Sequence, residues 1–193
     1  MHDKANDALV LESRRRIYEY VSARPGMHLR GIARSLSLPL GTALYHLDCL
    51  VNAELVVVRR DGRYKRFFAN HTLGRREKDY ISVFHHAVPR RIMAVLLAQG
   101  RRTQRELARD VGVSRSTLSF HVTNMVRQGI LRCEHRWPEN LYDAVEPELA
   151  ARVVLEQRAT FSDEVVERHL AALENALKAQ PALPQPAPVL ASP

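Results

Sequence analysis

The chain has 193 residues, 46% of them hydrophobic, with 29 Lys and Arg against 21 Asp and Glu for a net charge of +8. That length and composition exclude a fibrous or wholly disordered chain and leave room for two small domains. No apolar run approaches the roughly 20 residues of a membrane-spanning helix, no basic-then-apolar leader opens the chain, and two cysteines are too few for a disulfide framework, so a cytoplasmic protein with reduced thiols is expected.

Residues 9–23 place apolar side chains at 10, 17, 20 and 21, a helical spacing that Pro25-Gly26 stops. A short helix follows from His28 to Ser37, with Leu29, Ile32, Ala33 and Leu36 on one face. After a turn at Ser37-Leu38-Pro39, a third helix over 39–52 is expected to bury Leu44, Leu47, Leu50 and Val51. The period then changes from 3.6 to 2. Leu55 to Val58 reads as a strand, Asp61-Gly62 is a strong hairpin signal, and Tyr64 to Phe68 is the returning strand.

Residues 72–86 form a helical connector, and Pro89 opens a further helix to Gln99 with Ile92, Val95, Leu96 and Leu97 inside. Thr103 with Glu106 makes a capping-box pattern, Gly112 sits in a turn, and Ser114 caps a helix running to about Gln128 before Gly129. Residues 130–146 give a second hairpin through Trp137-Pro138-Glu139-Asn140. Beyond Pro147 a helix is expected to about Thr160. Another over 163–178 carries Val166, Leu170, Leu173 and Leu177 in coiled-coil spacing, and the Pro-rich residues 181–193 read as disordered.

Residues 28–56 align without a gap on residues 103–131 at a constant offset of 75. Arg30, Ala33, Arg34, Thr42, His46 and Val51 recur as Arg105, Ala108, Arg109, Thr117, His121 and Val126. Each copy is helix, turn, helix, hairpin, the order of a winged helix-turn-helix, in which the second helix enters the DNA major groove. The fold expected is mainly α with small β-hairpin wings. Its units are 1–71 and 72–146 as the two winged domains, 147–180 as C-terminal helices and 181–193 as the tail.

Charge supports a polyanionic partner: residues 1–75 carry a net +6, residues 76–145 a net +5 and residues 146–193 a net −3. In the recognition helix over 114–128, Arg115, Ser116, Thr117, Ser119, Phe120 and His121 face outward, and arginine can donate two bonds to guanine. The first recognition helix, 39–52, offers Gly41, Thr42, Tyr45 and His46 beside Leu40, a poorer base-reading face. Its hairpin, the basic wing over 58–66, carries Arg59, Arg60, Arg63, Lys65 and Arg66, suited to phosphates. The first unit is therefore expected to grip the backbone and the second to read bases.

The stretch Arg24-Pro25-Gly26-Met27-His28-Leu29-Arg30-Gly31-Ile32, the element Tyr45-His46-Leu47, Gly62 to Phe67, Gly112 to Thr117, and Phe120-His121-Val122 together resemble the archaeal-type transcriptional regulators with two winged helix-turn-helix domains, related to MarR- and ArsR-like repressors. The likeness covers about residues 10–145 and departs from the family pattern at Gly31 and Glu54. It implies a cytoplasmic regulator that binds double-stranded DNA, and regulators of this kind usually dimerise on paired half-sites, which makes the 166/170/173/177 stripe a candidate homodimer seam, the alternative being a face packed on the protein's own repeats.

Two other readings use the same fold: a winged-helix protein–protein scaffold of a chromosome-organising complex, and a non-specific architectural DNA-binding protein. A metal is not expected, because His46 with Cys49, Cys133 with His135, and His85-His86 belong to different units and no C-x-x-C or H-x-x-x-H pattern occurs. Nor is a cofactor or an enzymatic activity, since phosphate-binding and nucleophile motifs are lacking.

Overall fold

The computed structural model describes residues 11–62, 64–157 and 164–179, with side chains in the last segment described to residue 171. Eleven residues into the chain, helix α1 (Glu12–Ala23) turns Ile17 and Val21 inward. Strand β1 (Met27–His28) leads into α2 (Leu29–Ser35) and α3 (Leu40–Asn52), followed by the hairpin β2 (Val56–Asp61) and β3 (Tyr64–Ala69). The connector is α4 (Arg75–Phe84), and α5 (Ala87–Gln99) begins the second unit. There β4 (Arg102–Thr103), α6 (Gln104–Val111), α7 (Arg115–Arg127), β5 (Leu131–Glu134) and β6 (Leu141–Ala144) repeat the first plan. Two helices follow, α8 (Pro147–Glu156) and α9 (Glu164–Ala179).

Both sheets have three antiparallel strands in equivalent order, β1-β3-β2 and β4-β6-β5. The short first strand of each was invisible to sequence periodicity because two residues show no period. His28 does more than end β1: its Nδ1 accepts from the Gly31 N–H at 2.8 Å, so it caps α2, which starts one residue later than expected and stops at Ser35. Pro39 flanks α3 from outside, at the N-cap position.

The capping box at Thr103 is formed: its hydroxyl accepts from Glu106 N at 3.3 Å while the Glu106 carboxylate accepts from Thr103 N at 2.8 Å. These bonds, the backbone one foremost, hold the Glu106 carboxyl below its ordinary pKa.

Two apolar cores result. The smaller gathers Ile17, Val21, Ile32, Leu47, Leu50, Val56 and Phe67. The larger takes in α4, α5, the second unit and the last two helices, and it includes Phe68. Leu44, expected inside, faces solvent instead, and the small Ala43 with the imidazole of His46 fills that side of α3.

Connections between the units are polar as well as apolar. Gly26, at φ 81°, lies so close to the His85 ring that an added Cβ would come within 2.7 Å of Nε2. That nitrogen is 3.0 Å from the Pro25 carbonyl, and burial pushes the His85 pKa down to about 4. From α4, Arg76 donates to the Gly129 carbonyl at 2.9 Å and pairs with Glu146, tying the end of α7 to the connector. Glu77 of α4 pairs with Arg152 of α8 at 2.7 Å.

The first half of the 166/170/173/177 stripe faces inward and is not available as a dimer seam. Val166 and Leu170 are buried in the protein's own larger core, because α9 lies along α5. The side chains of Leu173 and Leu177, the helix expected over 158–160 and the tail 181–193 lie outside the described residues.

Repeat symmetry extends to the backbone. Gly112 and Gly129 have φ of 75° and 66°, and the residues 75 earlier, Ser37 and Glu54, have φ of 54° and 58°. The left-handed conformation is strained for a residue with a Cβ. Glu54→Gly should therefore raise stability by about 0.5–1 kcal/mol, read as a higher midpoint in urea unfolding, whereas Gly129→Ala should lower it.

His85 sets a pH dependence. Its folded pKa lies below the ordinary histidine value, so the unfolded chain binds the proton first and stability falls as pH drops from about 6.5 to about 4. His85→Gln should flatten that part of the stability–pH curve relative to the parent protein.

Candidate nucleic-acid interface

Helix α7 is presented by its own sequence. Ser114 accepts from Thr117 N at 3.2 Å and so starts the helix cleanly, while Leu118, Val122 and Met125 anchor it in the larger core. The opposite face exposes Arg115, Ser116, Thr117, Ser119 and Phe120, the last 65% exposed. His121 is half-buried beside Phe120, ring centroids 5.2 Å apart, and burial lowers its pKa. Arg115 has no ion-pair partner among the described residues. An unpaired guanidinium, three hydroxyls and an aromatic ring on one rigid face can donate to base edges and phosphates and stack on sugar or base.

Helix α3 exposes Leu40, Gly41, Thr42, Leu44 and Tyr45, the last 61% exposed. His46 does not join them. It is buried, its Nδ1 has no partner among the described residues, and burial with the nearby Arg14 charge lowers its pKa. The repeated histidine thus fills space in the first unit, against the expectation of a DNA contact.

The basic wing also divides. Register pairs Arg60 with Lys65 and Arg59 with Arg66, so the two pairs fall on opposite faces of the hairpin. Arg60 and Lys65 are exposed, with no acidic partner among the described residues. Arg59 faces the connector, 3.6 Å from Asp79.

Arg66 is only 5% exposed. It donates to Asp61 Oδ2 at 2.6 Å and to the Gly26 carbonyl at 3.0 Å, and its other nitrogen is 3.4 Å from His86 Nε2. Arg66 is therefore a structural clasp where a phosphate contact was expected. Arg63 lies outside the described residues.

The clasp ties the wing tip to His86, at the start of the second unit. His86 Nε2 is also 3.1 Å from Asp61 Oδ2, and bonds from His86 and Arg66 hold the Asp61 carboxyl down at about 2, against the opposing effect of burial. Asp61, Gly62 and His86 face Phe120, His121 and Asn124 across an open cavity of about 370 Å³, which puts the first wing's tip next to the second recognition helix. Sequence reading missed that juxtaposition, since the contact joins residues about 60 positions apart and leaves no local pattern.

The second wing is nearly neutralised by its own acids. Arg101 pairs with Glu134 and Asp143, Arg136 with Glu134, and Arg105 with Glu139. Trp137 stands almost fully exposed at its tip. Among the described residues no group of three or more His, Cys, Asp or Glu side chains is placed to hold a metal ion, and no helix is long and apolar enough to cross a membrane.

Comparison with known proteins matches the two copies of the repeat to separate family models. Residues 11–81 match a family model described as an N-terminal HTH domain, and residues 87–132 match one described as winged helix-turn-helix DNA-binding. The chain is also similar to an uncharacterized HTH-type transcriptional regulator of Methanocaldococcus jannaschii, 23% identical over 135 residues. That alignment takes in 69% of this chain and 34% of the relative, so the chain spans about a third of the relative's length.

Asp61 supplies a test of the clasp. Its folded pKa lies below the ordinary carboxylate value, so the stabilisation it gives is present above about pH 4 and lost as pH falls through about 2. Asp61→Asn should cost about 1–2 kcal/mol at pH 7, and the difference from the parent protein should vanish near pH 2 in a series of urea titrations.

Proposed function

We propose that this chain, a tandem winged helix-turn-helix protein, is a double-stranded-DNA-binding transcriptional regulator that acts by occupying promoter DNA. The observation that carries the reading is the face of α7, where Arg115, Ser116, Thr117, Ser119 and Phe120 stand exposed on a helix anchored from behind by Leu118, Val122 and Met125. Such a helix fits the major groove, and its polar first turns meet base edges. Arg60 and Lys65 supply sequence-independent grip on phosphates, a smaller set than the wing's composition promised. Half-buried His121 contributes at the margin of the α7 face, and Gly41, Thr42 and Tyr45 form the matching face of α3.

Two recognition helices in one chain can engage two half-sites without a second copy. A homodimer would have to be built from surface other than Val166 and Leu170, which are already buried.

Titration by fluorescence anisotropy tests the proposal, using the gene's own upstream duplex and a scrambled duplex of equal composition at two salt concentrations. The upstream duplex should bind preferentially, and the preference should survive about 150 mM salt. Arg115→Ala should reduce that preference by about tenfold. The double variant Arg60→Ala, Lys65→Ala should weaken both duplexes alike and make the salt slope shallower by about 2. Equal binding of both duplexes by the parent protein would favour an architectural role, and no binding would favour the protein-scaffold reading.

A further inference from the structure

The two recognition helices share a backbone plan and differ in what they present. At the offset of 75, Leu40, Gly41 and Leu44 of α3 stand where α7 has Arg115, Ser116 and Ser119, while Thr42 and Tyr45 answer to Thr117 and Phe120. Leu40 and Leu44 are one turn apart, 47% and 40% exposed, and belong to neither apolar core. With Tyr45 they make an apolar ridge along the first two turns, a stretch with no charged side chain and no side-chain amide. Folding does not account for it, because two leucines on the wet face of a helix stabilise nothing inside.

Gly41 points the same way. A Cβ built there would meet nothing within 4 Å, so the protein's own packing does not require a glycine in this helical turn. Its effect is to lower the profile between Leu40 and Leu44, letting the backbone approach whatever the ridge meets.

What surrounds the ridge selects the partner's charge. Arg30 and Lys65 line, together with Leu29, Leu44, Tyr64 and Phe67, an open depression of about 420 Å³ beside α3. Arg34 and Arg60 are exposed on the flanking elements. A cationic rim around an apolar ridge fits a polyanion whose groove floor carries apolar groups. In the major groove of DNA the apolar group is the thymine C5-methyl. Asp48, exposed one turn beyond Leu44, would repel phosphates and limits the reading face to the first two turns.

We propose that α3 reads thymine methyl groups, with Leu40, Leu44 and the ring of Tyr45 lying against the methyl edge of A·T pairs. The first unit then contributes sequence selectivity of its own, by apolar contact where α7 uses hydrogen bonds. This rests on the DNA-binding reading above.

Deoxyuridine removes the methyl of thymine and keeps every hydrogen-bonding group. Duplexes would be selected from a random pool with the full chain, and each thymine then replaced in turn by deoxyuridine. About one to three replacements, clustered in one half-site, should each weaken binding about fourfold, the effect of one buried methyl. The double variant Leu40→Ser, Leu44→Ser should lose that sensitivity and keep the salt dependence of the parent. Both leucines are exposed, and an unchanged circular dichroism spectrum and thermal midpoint would confirm that the variant is folded.

Affinity indifferent to deoxyuridine throughout would overturn the inference while leaving DNA binding intact. Sensitivity that persists both in the double variant and in Tyr45→Ser would also overturn it, by placing the methyl contact outside α3, with Phe120 of α7 the first candidate. Recovery of no bound duplex would overturn the DNA-binding reading and this inference together.

Discussion

Strand β3 holds the molecule together. Its side chains alternate between two faces, so Phe67 enters the first unit's core while its neighbour Phe68 enters the second. A shift of one residue in register would exchange the two rings and leave each core with the wrong partner, which makes the pairing of β2 with β3 strongly specified. Arg66 follows from the same parity. Two residues before Phe68, it must point toward the second unit, where Asp61, His86 and the Gly26 carbonyl surround it. A buried guanidinium needs such partners, since removing one of them would leave a charge without compensation.

That parity also explains what sequence reading could and could not deliver. Helices, hairpins and caps were legible because each depends on neighbours a few residues apart: Thr103 with Glu106, Ser114 with Thr117, Asp61-Gly62 at a hairpin tip. The repeat gave the fold because two copies of one apolar pattern bury two equivalent cores. Counting cations on the wing overstated its grip. A two-stranded ribbon has two faces, and nothing in five basic residues says that one face is covered by α4 and α5. His46 and Leu44 exchanged roles for a related reason. A small alanine on the inner side of α3 left room for an imidazole, and periodicity alone cannot rank histidine below leucine for burial.

Charge tells a similar story at the scale of the whole chain. The second unit is nearly as basic by composition as the first, yet Arg101, Arg105 and Arg136 all pair with acids on or beside its own wing. Exposed pairs of this kind add little stability, but they remove positive potential from the surface. Arg115 stands apart from them at the start of α7, a guanidinium placed on the recognition helix itself with no acidic partner among the described residues. Selectivity at a base edge depends on such a placed donor, whereas diffuse charge would bind any duplex alike.

The first unit shows how far a repeat can drift while its backbone stays fixed. Ser37 and Glu54 adopt the left-handed conformations that glycines hold in the second copy, each at a cost of roughly 1 kcal/mol. A unit with so small a core has little stability to lose. It can carry the strain because β3, the Arg66 clasp and the Pro25–Gly26 contact with His85 fasten it to the larger core. The same support frees its recognition helix to expose leucines, which would be an aggregation risk on a marginal, isolated domain. Strain and the apolar ridge are thus both tolerated for one reason, and both trace back to the strand that serves two cores.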